Sequence, residues 1–168
     1  MTTVTTTAHR RPFGWLVAIG ALALALLLTL AVLVGLVVTR PSGDPAYVPA
    51  ARDAAGTAVT AFLSVSADSV DADMDRVLSL STGRFRREYA AEKAQLRTAM
   101  VQNKVHSTAT VLGIGLTQAG PTTASALVAA DASVRNTRTP KPNVSHYRIR
   151  LSLVRSHDRW LVSTLTLE

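Results

Sequence analysis

The longest apolar run of the chain lies near its start and predicts a transmembrane helix. Residues 13–38 read FGWLVAIGALALALLLTLAVLVGLVV, without a charge or a proline. About 20 apolar residues cross a hydrocarbon core roughly 30 Å thick, so this run is long enough to span it. A cleaved signal peptide is the alternative, but its apolar region is shorter and ends at a small-residue site that VVTRPSGD does not offer. We therefore predict an uncleaved anchor.

The charges beside this run predict its orientation. Arg10 and Arg11 directly precede it, whereas Arg40 is the close cation that follows it. Positive charge favours the cytoplasmic side of a span. Residues 1–12 are therefore predicted to be a cytoplasmic arm, and the chain after the span is predicted to be extracytoplasmic.

After the span, the pattern predicts a linker and then a domain at residues 50–168. The linker, residues 39–49, carries three prolines. Apolar residues next recur at helical spacing in three segments, the second of which Asp71 or Asp73 could cap. The core-facing positions are Ala55, Val59, Phe62, Leu63 and Ser66 in the first helix, Met74, Val77 and Leu78 in the second, and Phe85, Tyr89, Leu96 and Met100 in the third.

Past the third helix the period changes to two and predicts four antiparallel strands. In the first strand Gly113 and Gly115 occupy alternate positions, which indicates a bend or a close backbone approach. A turn is predicted at residues 119–122, a basic proline-containing loop at residues 135–143, and a closing hairpin after it. Helices first and strands after indicate an α+β fold, in which three helices pack on one face of a curved four-stranded sheet.

The side chains of the closing hairpin predict its pairing. A three-residue loop of Ser156, His157 and Asp158 would place Ile149 opposite Leu165 and form a nearly continuous apolar strip on one face. A shift by one residue would mix the two faces. We therefore predict the three-residue loop, with Asp158 in the left-handed conformation that Asp tolerates better than most residues.

Composition and motifs narrow the possible functions. The chain has 168 residues, a net charge of +7 and no cysteine, which excludes disulfides, thiolate metal sites and thiol nucleophiles. The segment DADMD resembles the start of a calcium loop, but Arg76 stands where that loop needs glycine and Thr82 where it needs an acid. No metal is therefore predicted.

The order of the elements resembles a cone-shaped nuclear-transport-factor-2-like domain, also described as SnoaL-like or ketosteroid-isomerase-like. The resemblance rests on AFLSVSADSVDADMDRVLSLSTGRFRREY and on the ending YRIRLSLVRSHDRWLVSTL. With the predicted anchor added, the chain resembles the actinobacterial Mce ("mammalian cell entry") associated membrane proteins. A more distant likeness is to the periplasmic domain of type IV secretion assembly factors. The resemblance implies an accessory subunit that stabilises an Mce-type lipid or sterol importer.

Enzymes on this fold place a carboxylate, a tyrosine or a histidine inside the cone. None of the candidates has a partner at a defensible spacing, and Tyr89 lies on an apolar stripe that predicts a core position. We expect no catalytic residue, no cofactor and a non-enzymatic role. The alternatives are a ligand-binding or enzymatic domain that uses the cone interior, and an assembly factor of a secretion apparatus. The candidates weighed are Tyr47, Tyr89, His106, Asp131 and His146.

Two basic clusters form the candidate interaction surface. They are either solvated faces or contacts for acidic lipid headgroups or an acidic partner. Nucleic acid is not expected, since aromatic and basic residues do not interleave. The expected partners are the lipid bilayer and Mce complex proteins, and the sequence leaves the oligomeric state open. The clusters are Arg84, Arg86 and Arg87 at the head of the third helix, and Arg135, Arg138 and Lys141 in the loop.

Overall fold

Three helices precede four strands in the computed structural model, which describes residues 44–168. The predicted arm, span and most of the linker lie outside the described residues. Within residues 44–168, no helix has both the length and the apolarity that a membrane crossing requires. The predicted α+β order is confirmed, with helices α1 (Tyr47–Leu63), α2 (Val70–Ser79) and α3 (Gly83–Gln102), and strands β1 (His106–Ala119), β2 (Thr123–Arg135), β3 (Asn143–Ser156) and β4 (Arg159–Leu167).

Helix α1 begins earlier than its sequence pattern predicts. It starts at Tyr47, inside the segment assigned to the linker, and includes Pro49 in its first turn. Proline is tolerated there because the first backbone N–H groups of a helix have no intrahelical acceptor. The predicted linker therefore extends three residues too far, because residues 47–49, which include its last proline, belong to the helix.

Helix α2 is capped differently from the prediction. Its N-cap residue is Ser69, and Asp71 lies inside the first turn. The Asp73 carboxylate accepts hydrogen bonds from Ser69 Oγ at 2.7 Å and from the Ser66 backbone N–H at 3.1 Å. The prediction that Asp71 or Asp73 occupies the cap is wrong, but Asp73 still satisfies polar groups at this helix start, which is the role that an N-terminal acid often has.

The four strands form an antiparallel meander in the order β1-β2-β3-β4. The β1–β2 turn and the β2–β3 loop lie where the sequence predicts them. Register shifts interrupt β1 beside its glycines, between Val111 and Gly113 and between Leu116 and Gln118. Such bulges bend a strand. The other interpretation of the glycines, a close backbone approach, is wrong, because a Cβ added at Gly113 or Gly115 would meet nothing within 4 Å.

The β3–β4 turn has two residues, not the predicted three. His157 and Asp158 both have positive φ, 47° and 60°, and Ser156 pairs with Arg159. Positive φ at both central residues is type I′ geometry, whose twist matches that of the flanking strands. The predicted left-handed Asp158 is confirmed, while the loop length is wrong.

The predicted pairing of Ile149 with Leu165 is also wrong. Ile149 pairs with Leu167, and Leu151 pairs with Leu165. A two-residue turn alone would set apolar residues opposite polar ones, but Ser163 is an extra residue in β4 that shifts the register. The bulge therefore places apolar residues of β4 on one face, which the predicted three-residue loop was also expected to do.

The buried side chains form two groups. The sheet cluster joins α1 to the covered face of the sheet, and its most buried large members are Val59, Val128, Ile149, Leu151, Leu153 and Val162. The helix cluster joins all three helices and the segment between α1 and α2, and consists of Ala61, Val65, Val70, Met74, Val77 and Tyr89. The predicted core positions of all three helices belong to these clusters or pack against them, except Ser66, which lies beyond the end of α1 at Leu63.

The outer edge of β4 is clamped at one residue. The Val162 N–H donates to Leu80 O at 2.9 Å, and the Thr82 N–H donates to Val162 O at 2.8 Å. The connection between α2 and α3 therefore forms a short parallel bridge with the strand. Gly83, which follows it with φ of 57°, takes a conformation that most other residues disfavour and starts α3.

Candidate binding sites

The basic β2–β3 loop has a defined backbone. Asn136 Oδ1 accepts hydrogen bonds from the N–H groups of Arg138 and Thr139, each at 2.9 Å. The Thr137 N–H donates to Asn103 O at 2.9 Å, which ties the loop to the C-terminus of α3. These bonds hold the loop where its exposed cations surround one end of the sheet.

Two residues that the sequence analysis did not connect with this loop lie beside it. His106 is the first residue of β1 and pairs directly with Arg135, the last residue of β2. Lys104, at φ of 50°, lies in the connection between α3 and β1. Lys104, His106 and Arg135 line a depression of about 240 Å³, together with Asn136, Thr137 and Pro140.

Counting along β1 and β2 from one known pair accounts for part of this juxtaposition. If β1 had no bulges, counting from the observed pair of Ala119 and Ala124 would place Arg135 opposite Thr108. The side chains of Thr108 and His106 lie on the same face of β1, because they are two positions apart along the strand. The two bulges in β1 move the pairing by the remaining two residues. Strand counting would therefore have found the neighbourhood, while the partner itself depends on the bulges.

The second predicted cluster lies at the other end of α3, roughly 25 Å away along a helix that rises about 1.5 Å per residue. There Arg84 Nε bonds Glu88 Oε1 at 2.6 Å. Arg86 donates to Leu78 O. Arg87 is exposed. The six predicted residues thus form two separate surfaces, and partners within the domain engage Arg84 and Arg86 of the surface at the start of α3.

An apolar cleft of about 520 Å³ separates α3 from the end of β4. Burial raises the pKa of the Tyr89 phenol, and the negative charge of Asp73 adds to the rise. Glu88 and Glu92 stand at the rim, both exposed. The cleft can hold an apolar body against its floor, which is formed by Phe62, Phe85, Tyr89, Leu96, Met100, Leu165 and Leu167.

Among the weighed catalytic candidates, the structure brings Asp131 and His146 together. They are direct cross-strand partners, and Asp131 Oδ1 lies 2.6 Å from His146 Nδ1. The His146 side chain is 79% exposed on the face of the sheet opposite the sheet cluster. Tyr89 is buried in the helix cluster, as predicted. A histidine this exposed provides no water-excluded site for proton transfer.

The first and last of the three acids of DADMD form ion pairs with α3. Asp71 bonds Arg97 Nε at 2.8 Å, and Asp75 Oδ1 lies 2.5 Å from Lys93 Nζ. The hydrogen bond from Arg97 lowers the pKa of Asp71. In residues 44–168, no three metal-ligating side chains converge. These acids therefore connect α2 to α3.

The arrangement of helices and strands is similar to that of several solved structures. A ketosteroid isomerase-like protein from Erwinia carotovora shares 16% identity with this chain, at a TM-score of 0.50 over 73% of this chain and 95% of that one. An IcmL-like type IV secretion system protein from Legionella pneumophila shares 13% identity, at a TM-score of 0.61 over 75% and 94%. The domain thus has the predicted nuclear-transport-factor-2-like fold.

A further similar structure is the periplasmic domain of DotI, at 13% identity and a TM-score of 0.56 over 76% of this chain and 98% of that domain. At these identities the likeness shows the fold alone. Curated protein sequences gave no match. The chain belongs to the family of uncharacterised proteins described as Rv1363c/MT1408-like, whose model matches residues 17–166.

Proposed function

We propose that the chain is a non-enzymatic accessory subunit of a membrane assembly, anchored by one span and working through an extracytoplasmic domain. The observation that carries this proposal is the likeness to an IcmL-like secretion protein and to the periplasmic domain of DotI, over 94% and 98% of those chains. Those neighbours, by their descriptions, belong to a secretion system or to the periplasm. The whole described domain is therefore the unit that is shared.

The predicted anchor supports the same role. The apolar run at residues 13–38 precedes the domain, and the family match from residue 17 to residue 166 covers most of the run as well as the domain. An anchored domain of this kind contributes binding area beside a membrane. Protease treatment of intact spheroplasts tests the topology: the domain should be digested, and a domain that is protected until the membrane is lysed would contradict the proposal.

The specific assembly that we propose is an Mce-type lipid or sterol importer. The resemblance of the domain and anchor to Mce-associated membrane proteins supports this choice. The uncovered face of the sheet supports a contact role, because its residues alternate with the buried ones and include the exposed Leu127 and Arg148. A secretion apparatus is the alternative assembly, and it would give the same anatomy with different partners.

Affinity purification tests the assembly. A tagged full-length chain is extracted in mild detergent at low salt, and the proteins that accompany it are identified; we expect Mce complex proteins. The double reversal Arg138→Glu with Lys141→Glu should reduce their recovery severalfold, since both exposed cations lie at the loop. The matched control reverses Arg52 and Arg76, which are exposed on α1 and α2.

Two results would contradict this proposal. Recovery of secretion-system proteins in place of Mce proteins would replace the assembly while keeping the accessory role. Recovery that is equally high in the loop variant and the control would remove the basic loop from the contact.

The apolar cleft favours a second candidate function, the binding of a small apolar ligand. A pocket of about 520 Å³ with an apolar floor and a few polar groups is typical of ligand sites. We propose Leu165→Trp to fill the cleft, with Leu161→Trp on the same strand as control, because Leu161 does not line it. Mass spectrometry of the purified full-length proteins should show a compound that Leu165→Trp alone loses. Identical profiles in both variants would contradict ligand binding.

A further inference from the structure

We propose that the end of the sheet formed by Lys104, His106 and Arg135 binds a phosphate-type oxyanion, either free or carried by a lipid headgroup. This inference goes beyond the accessory role, and it does not depend on which assembly the chain joins. The site combines a depression of suitable size with donors from two separate segments of the chain, the start of β1 and the end of β2.

The two cations and the histidine converge because of the register of β1 and β2. The direct pairing of His106 with Arg135 sets their backbones side by side. Lys104 reaches the same place from the end of α3, where its N–H donates to Val101 O at 3.1 Å and holds the left-handed turn. The 240 Å³ depression between them is the size of a small anion with its water, and too small for a large organic body.

A second depression lies on the other side of the same pair. It measures about 290 Å³, and His106 and Arg135 line it together with hydroxyl groups that include Ser66 and Thr108. Hydroxyls can donate to a phosphate oxygen as well as accept. His106 and Arg135 therefore line both depressions, and each depression also contains uncharged hydrogen-bond donors.

His106 is held in place rather than mobile. Its backbone bridges to Ser66, and its Nδ1 lies 3.0 Å from Ser66 Oγ. This contact leaves Nε2, on the opposite edge of the ring, to meet a ligand. Asp68 is the acid near this ring, with Oδ2 3.9 Å from Nδ1, and its side chain is 85% exposed.

The charge balance of the site favours an anion. Some other cations of the described domain, among them Arg97, Lys93 and Arg150, have a carboxylate within 4 Å. No carboxylate lines either depression in residues 44–168, and no ion pair forms there at Lys104 or Arg135. Like charges held close repel one another, and a bound oxyanion relieves the repulsion while accepting several charge-assisted hydrogen bonds.

Titration of the full-length chain in phosphatidylcholine nanodiscs tests this proposal. One arm adds inorganic phosphate and follows the heat of binding. The other mixes the nanodiscs with vesicles of phosphatidylcholine, with or without phosphatidic acid, and measures co-sedimentation. We expect binding in at least one arm, weakened about tenfold or more by the double variant Lys104→Gln with Arg135→Gln, because two charge-assisted contacts are lost.

The matched control is Arg52→Gln with Arg76→Gln, which removes the same charge from exposed helix positions away from the site. Binding of inorganic phosphate alone identifies a soluble phosphorylated ligand, and binding of phosphatidic acid vesicles alone identifies a lipid headgroup. No binding in either arm, or equal weakening by the control, overturns the proposal. Loss of Mce partners in the purification experiment would leave this result unchanged, so the two proposals fail separately.

Discussion

Helices α1 and α3 both contact the sheet, yet they meet it in different ways. The face of α1 is built from small residues, with Ala51 and Ala55 fully buried. At Gly56 the approach is so close that an added Cβ would meet Ile114 Cδ1 at 2.9 Å. Helix α3 presents Phe85, Tyr89 and other large side chains, and a cleft of about 520 Å³ remains between it and β4.

This difference shows how side-chain size divides the domain into a tightly packed part and an open one. Small residues allow a helix and a sheet to pack closely, which leaves little empty space in the sheet cluster. Large residues hold the elements apart and cover only part of the gap. The α1 side therefore contributes most to stability, while the α3 side keeps room for a ligand or a partner.

The largest effect is expected from Leu151→Ala in the sheet cluster. Leu151 is fully buried under α1, so its truncation should lower the free energy of unfolding by about 3–4 kcal/mol through lost burial and a new cavity. Urea unfolding of the full-length chain in detergent measures the loss. A cost below about 1 kcal/mol would contradict the tight packing of this side.

Phe62→Ala should cost somewhat less, about 2–3 kcal/mol, because Phe62 is partly buried. Phe62 packs against both clusters, and its ring centroid lies 5.9 Å from that of Phe85 and 6.3 Å from that of Tyr89. Its loss should therefore broaden the urea transition by uncoupling the two clusters. Phe62→Leu, which keeps most of the apolar volume, is the control. A sharp, merely shifted transition for Phe62→Ala would argue against this coupling.

Leu96→Ala provides the matched comparison with Leu151→Ala. Leu96 lines the cleft and is partly exposed, so its truncation enlarges a space that already exists and should cost about 1 kcal/mol. The difference between the two leucine variants measures the contrast between the two sides. Equal losses would mean that the cleft is as well packed as the sheet cluster.

The smallest expected effect is the pH dependence of Tyr89→Phe. Burial raises the pKa of the Tyr89 phenol in the folded state. Above about pH 10 the unfolded state loses this proton first, so stability falls as the pH rises towards the folded pKa. Tyr89→Phe should remove part of that alkaline loss, which thermal unfolding at a series of pH values would show. Parallel curves for the two proteins would contradict a raised pKa.

The helices and turns of this fold could be predicted because local patterns determine them. Apolar spacing gave the core positions Met74, Val77 and Tyr89, which are buried as expected. The start of α1 was misplaced because prolines are normally signs of a linker, although Pro49 suits a first helical turn. Element type was therefore easier to predict than element boundaries.

The pairing predicted for the closing hairpin is wrong because of the bulge in β4. Its apolar residues change parity between Val162 and Leu165, and a single unbroken register cannot place both on one face. The predicted three-residue loop keeps one unbroken register with Leu161 and Leu165 on the apolar face, which leaves Val162 on the other face. The chain instead accommodates the change in a bulge at Ser163. The same limit applies to the basic site: Arg135 was predicted from its charge, but its neighbour His106 depends on bulges in β1.

The clamp on β4 restricts what can join the sheet. An unpaired edge strand normally offers a template for another strand, either from a partner or from an aggregating copy. Here both backbone groups of Val162 are occupied by the segment from Leu80 to Thr82. A strand added to this edge would have to stop before it reached the middle of β4. Only a short strand could therefore extend the sheet at this edge. A partner that binds here must rely mainly on side-chain contacts.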